Sequence, residues 1–161
     1  MKLHRFVKES RIAAPPDVVF SFHESPGAFR KLVPPWEHVE VESEPRSLQV
    51  GTRVVLRTKL GPFPVRWIAE HTEYLPGRLF ADRQVSGPFA YWYHRHRFDD
   101  DGRGGTILRD EVEYALPLGR LGSLLSTRFV ESKLHRMFDY RHEITRAIIE
   151  SGEFPAPSSA A

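Results

Sequence analysis

The stretch "FAYWYHRHRFDDDGRGGTILRDEVEYAL", residues 89–116, constrains the fold more than any other. Two runs alternate in character and are joined by a loop of aspartates and glycines, which is the pattern of a β-hairpin with one wet and one dry face. In the first run, predicted as a strand over 89–98, Ala90, Trp92, His94, His96 and Phe98 share a face. Phe89, Tyr91, Tyr93, Arg95 and Arg97 share the other. Unpaired arginines stay wet, so Trp92, His94, His96 and Phe98 are predicted to point inward. In the second run, over 106–116, Arg109, Glu111 and Glu113 face water and Leu108, Asp110, Val112 and Tyr114 face inward. If Phe98 pairs with Thr106, His94 lies opposite Asp110; a two-residue slip puts His96 there instead. Either register sets an inward aspartate beside an inward histidine.

Similar segments flank this hairpin. Strands are predicted at 3–13, 37–44, 52–60, 64–75 and 78–85, separated by "QVG", "GPFP", "LPG" and "SGP" turns. Short connections imply antiparallel neighbours. In "RLFADRQV", Phe80, Asp82 and Gln84 share a face, expected to be the inner one. Two short helices, 14–25 and 26–33, follow the first strand. Proline and Asp17 suit the first turn of one, and Pro34-Pro35 stops the other. From about Leu118 to Ser151 the period turns helical. Leu134, Met137, Phe138, Arg141, Ile144, Thr145 and Ile148 form the expected buried stripe.

The order is strand, two short helices, six strands, long helix. It predicts an α+β fold in which a curved antiparallel sheet of about seven strands wraps round one C-terminal helix. A length of 161 residues fits one domain, placed at 1–150, with "SGEFPAPSSAA" (151–161) as a disordered tail. The chain has no cysteine, which excludes disulfides and thiolate metal sites. There is no signal-type or membrane-spanning apolar run, so a soluble, cytoplasmic protein with no stable membrane insertion is expected. The 23 basic and 21 acidic residues are interleaved, without the basic stripe of a nucleic-acid binder.

"PPWEHVEV" (34–41), "VRWIAEHTEYLPGRLFADRQVSGPFAYWYHRHRF" (65–98), "DEVEYALPLGRLG" (110–122) and "MFDYR" (137–141) resemble the ligand-binding subfamily of the SRPBCC superfamily. That superfamily has the START-like, helix-grip fold and is also described as polyketide cyclase/dehydrase-like. The resemblance spans most of residues 3–150. It implies a deep hydrophobic cavity between sheet and helix, and no particular substrate. Similar modules occur fused to nucleotide-sugar-epimerase-like proteins.

The expected cavity wall comprises Trp67, Phe80, Asp82, Gln84, Trp92, His94, His96, Phe98, Asp110, Val112, Tyr114, Phe138 and Arg141. Several buried polar groups in one interior point to a hollow filled by water or ligand. His94, His96 and Asp110 are the candidate catalytic residues, since a histidine oriented by an aspartate moves protons near neutral pH. The same three have the composition of a two-histidine, one-carboxylate metal site. An HxH spacing alone is weak, and the preferred reading is a hydrogen-bonded network without metal or other cofactor. Arg141 either anchors a ligand carboxylate or pairs with Asp82 or Asp110, the internal pair being favoured. "DDD" (99–101) reads as a solvated loop, and Trp36 with Pro34-Pro35 as a wall between helix and sheet. Residues 15–33 and the region of Gly119 and Gly122 are expected to border the cavity mouth. Binding of a hydrophobic small molecule, lipid- or polyketide-like, leads. A cofactor-free cyclase or dehydratase and a protein-interaction module are the alternatives.

Overall fold

A computed structural model of the chain describes residues 1–60, 63–117 and 126–155. Its elements are β1 (His4–Ile12), α1 (Pro16–Glu24), α2 (Ala28–Lys31), β2 (Glu40–Ser43), β3 (Arg53–Leu60), β4 (Phe63–Leu75), β5 (Leu79–Ser86), β6 (Tyr91–Asp100), β7 (Thr106–Ala115) and α3 (Thr127–Glu150). The strands form one curved antiparallel sheet in the order β1-β7-β6-β5-β4-β3-β2. From β2 to β7 every strand pairs with its sequence neighbour, as the short turns require. The chain between β1 and β2 carries α1 and α2 across the sheet, and β1 closes against β7 along its whole length. This is the helix-grip arrangement.

The β6–β7 hairpin takes the slipped register: His96 opposes Asp110, Phe98 opposes Leu108 and His94 opposes Val112. The connecting loop is tighter than a solvated turn. Asp101 Oδ1 accepts from the Arg103 and Gly105 amides at 2.7 and 2.8 Å, and its Oδ2 meets Arg11 Nε at 2.5 Å. The Asp101 side chain is only 5% exposed, so one of the three aspartates is the hub of the loop. Gly105 faces that carboxylate so closely that a Cβ would lie 2.5 Å from Asp101 Oδ2.

Ser126 caps α3 by accepting from the Phe129 amide at 3.2 Å. The face of α3 that the sheet buries is Val130, Leu134, Phe138, His142, Thr145 and Ile149. The centre of the stripe thus runs through His142, and Met137 and Arg141 lie on its edge. Two apolar clusters fill the interior. One joins α1 to the C-terminal end of α3 through Phe20, Phe22, Phe98, Leu108 and Ile149. The other joins the sheet to the N-terminal half of α3 through Phe6, Trp92, Val112, Tyr114, Leu134 and Phe138. Phe154 packs edge-on against Phe22, with ring centroids 5.6 Å apart, and its amide reaches the Ile148 carbonyl. The start of the segment expected to be a disordered tail is therefore docked, because an aromatic side chain there has apolar surface to bury. Residues 156–161, and the region of Gly119 and Gly122 expected at the cavity mouth, lie outside the described residues. Trp36 is 43% exposed and packs on Tyr140 and Arg136 of α3, so it covers the helix and does not wall the interior.

Candidate functional site

Between the sheet and α3 lies a cavity of about 270 Å³. Its wall is mostly apolar: Val54 and Leu56 of β3, Trp67 and Ala69 of β4, Trp92 of β6, and Leu134 and Met137 of α3. Phe29, Leu32 and Val33 border it from α2 and the residues after it. Set into this wall are Asp82, His94, His96, His71, His23 and Arg141.

Behind the wall sits Asp110, 3% exposed, on the buried face of β7. Its Oδ1 is 2.7 Å from both His94 Nε2 and His96 Nδ1, and its Oδ2 is 2.6 Å from His142 Nε2. A carboxylate only accepts, so each of these three ring nitrogens carries the proton. Burial raises the Asp110 pKa, but the charge of His96 and the bonds from His142, His94 and His96 outweigh it, and the group is held well below the ordinary aspartate value. For His96 burial is outweighed by Asp110 and then Asp82, which raise its pKa. For His94 burial wins, helped by the adjacent His96, and its pKa is lowered. The two rings lie 3.8 Å apart, centroid to centroid.

Asp82 Oδ2 stands on the cavity side of this pair, 3.6 Å from His94 Nδ1 and 3.7 Å from His96 Nε2. Burial raises its pKa, yet the adjacent His96, His94 and His71 bring it below the ordinary value. His23 donates Nδ1–H to the Val19 carbonyl at 2.8 Å, and burial lowers its pKa to about 4. The imidazole is therefore neutral at neutral pH.

Of the expected wall residues, Trp67, Phe80, Asp82, Trp92, His94, His96 and Arg141 line the cavity. Phe98, Val112, Tyr114 and Phe138 are inward, but they are consumed by the two apolar clusters and form core, not wall. Asp110 orients the wall histidines from behind. Gln84 is drawn away: its amide clasps both backbone groups of Phe89, closing the β5–β6 turn over Gly87. Arg141 makes neither expected carboxylate pair. Its Nε donates to the Leu32 carbonyl at 3.1 Å, and burial lowers its pKa despite Asp110 and Asp82.

Three histidines were missed. His71 carried a signal, since Val65, Trp67, Ala69 and His71 alternate with Arg66 and Glu70 just as the β6 residues do. His142 follows Phe138 by four on the buried stripe, but a histidine does not register in an apolar count. His23 lies on a nine-residue helix beside apolar neighbours, and its sequence context carries no signal.

A seven-stranded sheet gripping one long helix around an apolar hollow defines the START-like class. A family model described as "Polyketide cyclase / dehydrase and lipid transport" matches residues 12–139, and the chain belongs to that family. Among solved structures, the ZhuI aromatase/cyclase from Streptomyces sp. R1128 matches with a TM-score of 0.70 at 14% identity, over 99% of each chain. A START superfamily protein from Mycobacterium smegmatis matches at 0.67 and 12%, over 92% of this chain and 98% of that one. A nucleoside-diphosphate sugar epimerase from Corynebacterium glutamicum matches at 0.71 and 24%, this chain covering 29% of its length. At these identities the likeness is one of fold. No curated protein matches the sequence. Among the described residues no helix is long and apolar enough to cross a membrane.

Proposed function

We propose that the chain binds a compact apolar molecule in the cavity, with an oxygen-bearing end turned to Asp82, His94, His96 and Arg141. The observation that carries this reading is a mostly apolar wall with Asp82, His94, His96 and Arg141 set into it, the general form of a small-molecule site. A volume of about 270 Å³ favours a compact ring system or short acyl chain over a two-chain lipid. The family, which covers cyclases and lipid transport alike, supports a hydrophobic ligand.

A second reading has its own observation. His94 and His96 are adjacent, yet their pKa values are pushed in opposite directions, and such a split pair suits a general base and a general acid. Cyclisation or dehydration of a polycarbonyl compound is chemistry of that type.

Mass spectrometry of an organic extract of natively purified protein, with titration of an apolar fluorescent probe, tests the binding reading. Saturable one-to-one binding is expected, weakened at least tenfold by Ala69→Phe, which fills the hollow. No co-purifying molecule and no saturable probe binding would end it. For the second reading, NMR would follow exchange of the acidic C–H protons of a β-dicarbonyl probe in D2O. Exchange lost in His94→Gln and His96→Gln supports it; exchange equal to that without protein refutes it.

A further inference from the structure

We infer that Asp82, His94 and His96 form a divalent transition-metal site, with zinc the ion that fits best and an open coordination position facing the cavity. The inference stands on the cluster alone and holds whichever organic molecule fills the hollow.

The donors are prepared for it. Asp110 takes the proton-bearing nitrogen of each ring, Nε2 of His94 and Nδ1 of His96. In the neutral rings the bare lone pairs are then at His94 Nδ1 and His96 Nε2, and these are the atoms nearest Asp82 Oδ2, at 3.6 and 3.7 Å. Both separations are too long for a hydrogen bond. All three donor atoms lie within 4.8 Å of one another. Ligands about 2.1 Å from a tetrahedral ion stand roughly 3.4 Å apart, whereas cis ligands of an octahedral ion at the same distance stand roughly 3.0 Å apart. The two Asp82–histidine spacings lie nearer the tetrahedral value, so zinc is favoured over an octahedral ion.

The surroundings agree. A carboxylate that holds the far nitrogen of a ligating histidine is the usual outer partner of a metal site, and Asp110 does this for both rings while His142 anchors it from α3. The two carboxylates, Asp110 buried and Asp82 half-buried, also attract positive charge. Arg141 gives its Nε to the Leu32 carbonyl and makes no ion pair with either among the described residues. A dication taking the place of the His96 proton adds to the charge between them. Since Asp82, His94 and His96 all line the cavity, the fourth position takes water or an oxygen of the bound molecule. The carboxylate that ligates is Asp82, and Asp110, the one the sequence pattern pointed to, positions the rings.

The test uses the full chain without a polyhistidine tag, stripped with chelator and titrated with Zn²⁺ by calorimetry. One equivalent is expected to bind. Binding should be lost in Asp82→Asn, His94→Gln and His96→Gln, with folding checked by circular dichroism, and kept in His135→Ala, whose ring is exposed. Asp110→Asn should weaken it about 10- to 100-fold. In the unmodified chain, Co²⁺ should give the intense visible bands of a four-coordinate ion, a readout that needs no variant. No stoichiometric Zn²⁺ binding, binding undiminished in Asp82→Asn, or the pale spectrum of six-coordinate Co²⁺ would overturn the inference.

Discussion

Asp110 is the residue on which the interior turns. It is buried, accepts hydrogen bonds from His94 and His142, and lies 2.7 Å from His96 Nδ1, so imidazoles of β6 and α3 meet on one carboxylate. An Asn of the same shape keeps one acceptor oxygen but presents an amide N–H₂ where an acceptor is needed, leaving a donor facing a donor. Asp110→Asn is therefore expected to cost on the order of 3–5 kcal/mol, the range for breaking a buried ionic network by removing one partner. Urea denaturation at neutral pH measures it. The same change should lower the pKa of His96, whose upward shift depends on the Asp110 charge and hydrogen bond, as an NMR titration of the ring protons would record. A loss below 1 kcal/mol with an unchanged His96 would mean the network is not held as its geometry implies. His142 explains why the cost exceeds that of a single histidine–aspartate pair. It ties the helix to the same carboxylate, so the substitution loosens helix and hairpin together.

Among the elements, the β6–β7 hairpin was the most legible in the sequence and α3 the least. Strict alternation of Tyr and Arg against Trp, His and Phe leaves one solution for which face is dry, and the burial of Trp92, His94, Phe98, Leu108, Asp110, Val112 and Tyr114 follows it. What alternation cannot supply is register or depth. Register depended on the loop, where Asp101 folds back on Gly105 and sets Asp100 opposite Thr106. Depth depended on which inward residues the helix covers: Phe98 and Phe138 pack into clusters while Trp92 and His94 keep an edge on the cavity. On α3 a one-residue rotation of the stripe separates Arg141 from His142, and an apolar count cannot resolve it. Gln84 had the right parity, but β5 stops pairing with β6 at Arg83, so the alternation no longer governs it. The elements also differ in how firmly they are held. β6 is paired on both sides along much of its length, whereas α2 is four residues long, its N-cap Gly27 makes no side-chain capping bond and it borders the cavity through Phe29. Amide hydrogen exchange in residues 26–33 is expected to be much faster than in 91–98 and 106–115, because local opening there breaks few contacts. Equal protection in these segments would contradict access to the cavity past α2.

For the whole molecule, acid stability joins the site to the fold. His23 has a pKa of about 4 in the folded chain against the ordinary 6.5, so the unfolded chain takes up its proton first as the pH falls. Its contribution is intact above pH 6.5 and is lost progressively from 6.5 to about 4, on the order of 3 kcal/mol in all. His94 and His71, both lowered chiefly by burial, act in the same direction. His96 acts oppositely: its folded value is raised, so its contribution is complete below 6.5 and lost only as the pH rises above that. Asp82 and Asp110, held below the ordinary carboxylate value, add their losses further down, near and below pH 4. The stability between pH 6.5 and 4.5 should therefore fall steadily, and the slope should be set by neutral buried histidines, not by carboxylates. His23→Phe removes one of them and keeps a ring against Phe80 and Phe98. The variant gives up the bond to the Val19 carbonyl, which costs about 1 kcal/mol at every pH. Its stability should nonetheless fall by about 2 kcal/mol less than that of the unmodified chain between pH 6.5 and 4.5. Denaturant midpoints across that range measure the difference, and parallel curves would show that His23 is charged in the folded protein or exposed to solvent.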